Sequence, residues 1–180
     1  MLVPERLKGV AIVSRLGTLD RPGALEGMSE GNVEEIEMAR EAPDQLAAAH
    51  GEAARAIHED PEGAIAELSE ELPEVDRQML ERPDVRAFLI ETFQEGVRQG
   101  ATRWIADDLR HSRPWPFHLE EIGGVDVRIH HGEADMLVPA HHAKHLAEGI
   151  PGSRLHLYPD DGHLSIDKHL KEIVQTLLAP

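Results

Sequence analysis

Between Val125 and Ser165 the residues alternate in a way that leaves few folds open. Val125, Val127 and Ile129 alternate with Asp126, Arg128 and His130, the period of a strand with one apolar side, until Gly132 breaks the pattern. Ala140 to Gly149 reads as a helix with Leu146 inward and Gly149 as its stop. Leu155 and Leu157 then alternate with Arg154, His156 and Tyr158 before Pro159-Asp160-Asp161-Gly162 turns the chain into His163. Strand, helix and strand in that order make a parallel unit. Its strands expose their carboxyl ends on the same side of the sheet, where open α/β sheets place their chemistry.

Asp135 follows the first of these strands and His163 the second, so one short loop each brings a carboxylate to an imidazole nitrogen. A carboxylate so placed holds the ring in one tautomer and stabilises the imidazolium, while the other nitrogen takes a proton from a nucleophile. An isolated Asp and His in loops are more often a turn cap and a polar surface residue; here the neighbouring residues shift the balance. The run His131-Gly132-Glu133-x-Asp135-x-Leu137-Val138-Pro139, followed by Tyr158-Pro159-x-x-Gly162-His163, resembles the carboxy-terminal part of α/β-hydrolase-fold proteins. The resemblance implies that Asp135 is the triad acid after the seventh strand and His163 the base after the eighth. It extends back through Arg113-Pro114-Trp115 to the strand and loop at Leu7–Leu19, and so covers nearly the whole chain. What it implies is a partial α/β-hydrolase fold: sixth strand, helical cap, seventh and eighth strands. The five strands, oxyanion-hole loop and nucleophile elbow that precede these in a complete member cannot be placed in the 180 residues.

The expected fold is therefore α/β, with about three parallel strands, flanking helices and an all-helical cap. Residues 1–28 supply the first strand and loop, 29–112 the cap and 113–180 the rest of the α/β core. Leu7 to Leu16 is the first strand, and its centre Gly9-Val10-Ala11-Ile12-Val13 is apolar without alternation, as in a strand buried on both faces. In a three-stranded sheet it is nevertheless an edge, and an uncharged edge needs a cover. A homodimer pairing along this edge or exchanging cap helices would provide one, and an amino-terminal hydrolase half is the other expected partner.

From Asn32 to about Arg110 short helices follow one another, with Pro61, Pro73 and Pro83 marking first turns and an acid after each. Asn32 and Glu35 are expected to form an N-cap box. Glu34, Glu35, Glu37, Glu70 and Glu71 read as a solvated face, and Met28, Met38, Met79, Phe88, Phe93 and Trp104 as helix packing rather than substrate contacts. The resemblance implies that such an insertion roofs an active site and selects substrates. Ile166 to Leu178 reads as a closing amphipathic helix with Ile166, Leu170, Ile173, Val174, Leu177 and Leu178 on one side.

Gly27-Met28-Ser29-Glu30-Gly31 matches the G-x-S-x-G pattern of a nucleophile elbow, and Ser29, Asp135 and His163 fall in triad order. An elbow needs a hydrophobic strand running into a sharp turn, whereas Asp20, Arg21, Pro22, Gly23 and Glu26 precede Ser29. A loop entering the cap explains the same residues better. Ser14, at the end of the first strand, lacks elbow glycines and ranks lower.

His141 and His145 stand four apart on a helix with His130, His131 and His142 nearby, which makes half a metal site with no third ligand fixed. A solvent-exposed histidine-rich helix is the simpler reading, and no metal or cofactor is expected. The formal charge of -16 disfavours nucleic acid and anionic membrane as partners. There is no Cys, so redox chemistry does not reveal the compartment; without a leader or a long apolar span the expectation is cytoplasmic. Three functions remain in order: a hydrolase portion, acting on an ester or other carbon–heteroatom bond, with acid and base but no nucleophile of its own; a noncatalytic homo-oligomer derived from a hydrolase; and a self-contained esterase using Ser29.

Overall fold

A computed structural model describes residues 7–178. The chain divides into two compact units, with the breaks between Thr18 and Leu19 and between Pro114 and Trp115. The first break comes earlier than the expected boundary at residues 28 and 29.

The α/β unit holds strands β1 (Gly9–Val13), β2 (Asp126–Gly132) and β3 (Arg154–Tyr158). They form one parallel sheet in the order β1-β2-β3, with Val10 opposite Val127 and Ile129 opposite Leu155. The expected three-stranded parallel sheet is present. β1 is a half-buried edge and not a strand enclosed on both faces. Burial on both faces belongs to the carboxyl end of β2, where Ile129, His130 and His131 are all buried.

Helix α7 (His141–Gly149) crosses between β2 and β3 and packs Ala143 and Leu146 onto Val127 and Ile129, with Leu119 and Ile150 closing the core. Gly149 is needed there for packing: a Cβ on it would lie 2.5 Å from the Leu119 side chain. The helix stops at Gly149 as expected, with Ile150 as the cap and without a left-handed φ at the glycine.

The closing segment is a 3-10 turn, Ser165–His169, followed by α8 (Leu170–Leu178), which packs against β1. Ile166 and Ile173 are buried, whereas Leu170, Val174 and Leu178 of the expected inward face are exposed. The apolar set is wider than the contact that α8 makes.

The helical unit contains α1 (Glu30–Glu41), α2 (Pro43–Glu59), α3 (Pro61–Glu70), α4 (Glu74–Leu80), α5 (Pro83–Gly96) and α6 (Thr102–His111). Pro43, Pro61 and Pro83 open helices because a first-turn residue needs no N–H donor, while Pro73 sits one position earlier as the cap of α4. Leu46, Ile65, Leu72 and Leu80 are buried, and Ala54, Ile57, Val97 and Ala101 form a second cluster. The expected Asn32–Glu35 cap box is absent: α1 starts at Glu30 after Ser29, and Glu35 turns inward. Phe88 is 65% exposed and so is not packing. Phe93 and Trp104 pack on the second cluster but also line an open cleft of about 390 Å³ with Ile57 and Val97.

These burials predict a contrast within α8. Ile173→Ala is expected to cost about 2–5 kcal/mol in urea unfolding, because it empties a buried site. Val174→Ser, one residue on, is expected to stay within about 0.5 kcal/mol; equal costs would show that α8 buries a different face.

Candidate active site

Asp135 and His163 meet at the carboxyl ends of β2 and β3. The His163 Nδ1 lies 2.9 Å from Asp135 Oδ2, and the carboxylate is buried while 29% of the imidazole side chain is exposed. Burial alone pushes the Asp135 carboxyl up. Hydrogen bonds from His131, His163 and the Val138 N–H, with the charge of His163, outweigh that and bring it below the usual carboxylate range. An ionised carboxylate only accepts, so Nδ1 carries the proton and Nε2 of a neutral His163 has the lone pair that can take one.

His131 supports this arrangement from β2. Its Nε2 lies 2.6 Å from the Val138 carbonyl oxygen and 3.3 Å from Asp135 Oδ2, and since both are acceptors Nε2 carries hydrogen. The Val138 N–H donates to the other carboxylate oxygen, Oδ1, at 2.7 Å. Asp135 is thus held at both oxygens.

Two loops must approach closely to bring the pair together. A Cβ on Gly132 would lie 2.3 Å from the Asp161 carbonyl oxygen, so no side chain fits where β2 ends. The Ala134 N–H donates to that carbonyl at 2.9 Å, the Glu133 N–H to the Tyr158 carbonyl at 2.9 Å and the Gly162 N–H to Ser165 Oγ at 2.7 Å. The first two bonds lace the acid loop to the histidine loop through backbone and the third braces the histidine loop internally, which together fix the Asp135–His163 geometry.

Next to His131 in sequence, His130 is stacked on His156 at 4.7 Å, and its Nδ1 is 3.0 Å from the Tyr158 hydroxyl. Its Nε2 is buried without a hydrogen-bond partner. Burial, followed by the positive charges of His156, Arg128 and His169, pushes its pKa down to about 4.

The elbow reading of Ser29 fails its structural requirement. A run of turns precedes it, its φ of -58° and ψ of 149° are ordinary extended values, and its Oγ is buried with no partner. Ser14 is the residue with a left-handed backbone, φ 45°, at the carboxyl end of β1, yet its Oγ is equally enclosed. The helix α7 is not the solvent-exposed histidine-rich helix expected: His142 is fully buried and accepts the Gly17 N–H at 3.2 Å, and His141 and His145 are half-buried. Among the described residues the metal-ligating side chains that converge are Glu35, His50 and Asp108 of the helical unit. No sequence spacing signalled that group, because its members come from α1, α2 and α6 and only tertiary packing joins them.

No protein-family model matches the chain, and no curated protein matches it. Solved structures do. A hydrolase from Pseudomonas aeruginosa PA01 superposes with a TM-score of 0.56 at 20% identity, over 99% of this chain and 58% of its own. The protein described as the non-heme bromoperoxidase BpoC of Mycobacterium tuberculosis H37Rv gives 0.51 at 19% identity, over 98% and 58%. An alpha/beta hydrolase fold protein from Nakamurella multipartita gives 0.50 at 19%, over 97% and 62%. The chain has part of an α/β-hydrolase fold. It spans less than two thirds of the length of each of these structures.

Two outcomes follow for the site. Gly132→Ala is expected to separate the two loops and destabilise the protein by about 2–4 kcal/mol, read by chemical denaturation; an unaffected midpoint would refute the close approach. Stability should also fall on the acid side. His130 is neutral when folded and protonates near pH 6.5 when unfolded, so its contribution is complete above that pH and is lost as pH falls towards about 4. Between pH 7 and pH 5 the loss is about 1–2 kcal/mol, and His130→Gln should flatten that part of the melting-temperature profile.

Proposed function

We propose that Asp135 and His163 are the acid and base of a hydrolytic triad acting on an ester, or another carbon–heteroatom bond, in a small substrate. The observation that carries this reading is the Asp135 Oδ2 to His163 Nδ1 contact, with a buried ionised carboxylate behind a partly exposed ring. His163 Nε2 would take the nucleophile's proton as the carbonyl is attacked and return it to the leaving group, while Asp135 stabilises the imidazolium. The nucleophile and oxyanion donors would come from a nucleophile-bearing half-fold alongside β1, since both Ser14 and Ser29 keep their hydroxyls buried. The hydrolase and hydrolase-fold neighbours support the fold-level part of this reading.

A second reading rests on a separate observation. β1 pairs with β2 on one side, and Leu170, Val174 and Leu178 leave an apolar stripe on α8. A second copy pairing along β1 would cover that edge and make a noncatalytic homodimer.

The test uses the 180-residue chain alone and after addition of an amino-terminal α/β-hydrolase half carrying an elbow serine. Alone, it is expected to show no fluorophosphonate labelling and no p-nitrophenyl ester hydrolysis. With the added half, hydrolysis should appear and fall by roughly 10³–10⁴ in His163→Ala. Activity that survives His163→Ala would refute the triad assignment. A stable dimer by light scattering that stays inactive with the added half would establish the second reading instead.

A further inference from the structure

Glu35 of α1, His50 of α2 and Asp108 of α6 bring one ligand atom each to a common point in the helical unit, all within 4.8 Å of one another. His50 Nε2 lies 3.0 Å from Glu35 Oε1 and 2.5 Å from Asp108 Oδ2. One ring N–H cannot point at two carboxylates, and the carboxylates are close enough to hydrogen-bond each other.

The surroundings position these donors. His50 is 4% exposed, and its ring stacks on Trp104 with centroids 4.0 Å apart, which fixes the direction of Nε2. The Trp104 indole N–H donates to Glu35 Oε1 at 2.7 Å, the same oxygen that faces His50 Nε2, so the stacked ring pair orients the carboxylate. Glu35 and Asp108 keep 23% and 20% of their side chains exposed, which leaves a route for an ion and a water molecule. Glu35 had been expected to belong to a solvated acidic face; instead it is half-buried at the centre of this group.

We propose that Glu35, His50 and Asp108 form a binding site for a divalent first-row metal ion, with zinc as the fitting example and water completing the coordination. One imidazole and two carboxylates suit zinc, and three protein ligands plus water is an arrangement zinc adopts. Bonds of about 2.1 Å to tetrahedrally placed donors put those donors about 3.4 Å apart, so the ion needs the present contacts to open by less than about 1 Å. The two partly exposed carboxylates can supply that movement by side-chain rotation. The cation would tie three helices together at one point. Burial, then the hydrogen bond and charge of Asp108, push the Glu35 carboxyl up to about 7 against the lowering effects of His50 and Trp104.

The experiment starts with protein stripped by EDTA and titrated with zinc chloride. One equivalent is expected to bind and to raise the melting temperature by roughly 5 °C or more at a hundredfold excess over Kd. Glu35→Gln and Asp108→Asn should each weaken binding by at least about tenfold, whereas the paired substitution His141→Ala with His145→Ala should leave it unchanged. Histidine ¹⁵N spectra of the unsubstituted protein provide a readout that does not depend on any variant folding, with His50 Nε2 expected to shift on zinc addition. An unchanged His50 signal, or binding that persists in Asp108→Asn and disappears with His141 and His145, overturns the proposal.

Discussion

The candidate site depends on a close approach between two pieces of backbone. Where β2 ends, Gly132 lies against the Asp161 carbonyl with no room for even a methyl group. That proximity lets the Ala134 and Glu133 N–H groups reach across to the histidine loop. The alignment of Asp135 with His163 follows from it. Backbone hydrogen bonds have little freedom to rearrange, so the Asp135–His163 geometry is set when the sheet forms. The buried Asp135 carboxylate would be costly if isolated; the donors gathered by the same loops, His131, His163 and the Val138 N–H, keep it ionised.

The strand–helix–strand unit was legible because its signals are local. Val127 and Ile129 face the core as their alternation requires, and α7 runs from His141 where the helical pattern began at Ala140. Loop lengths after β2 and β3 then sufficed to bring Asp135 near His163. Gly149 shows the limit of such reading: a glycine at a helix end invites a left-handed cap, yet the Leu119 side chain is the reason none larger fits. That contact joins residues far apart in sequence, and no local pattern encodes it.

The helical unit was legible in outline only. Prolines mark helix starts because they act within one turn, but which face of each helix is buried depends on partners that sequence does not name. Glu35 illustrates this. In sequence it is one acid among several on α1, and its distinction comes from Trp104 and His50, supplied by two other helices. His141 and His145 show the converse: the spacing suggests a ligand pair, but α7 sits against the sheet with His142 fully buried, and no acid or histidine joins them in a metal-ligating group among the described residues.

The two edges of the sheet differ in a way that bears on what the α/β unit needs. β3 carries Arg154, His156 and Tyr158, with Arg154 reaching the Asp126 carboxylate of β2, so its margin is charged and unattractive to another strand. β1 reads Gly-Val-Ala-Ile-Val, with neither charge nor proline to discourage pairing. An edge of that composition is a template for a further strand, and natural sheets protect such edges by pairing, covering or shortening them. The apolar stripe of α8, the helix packed on β1, adds a second reason for a neighbour in the same part of this unit. The proposed nucleophile-bearing half-fold would satisfy both demands and supply the chemistry proposed for Asp135 and His163, whereas a second copy would satisfy only the physical ones.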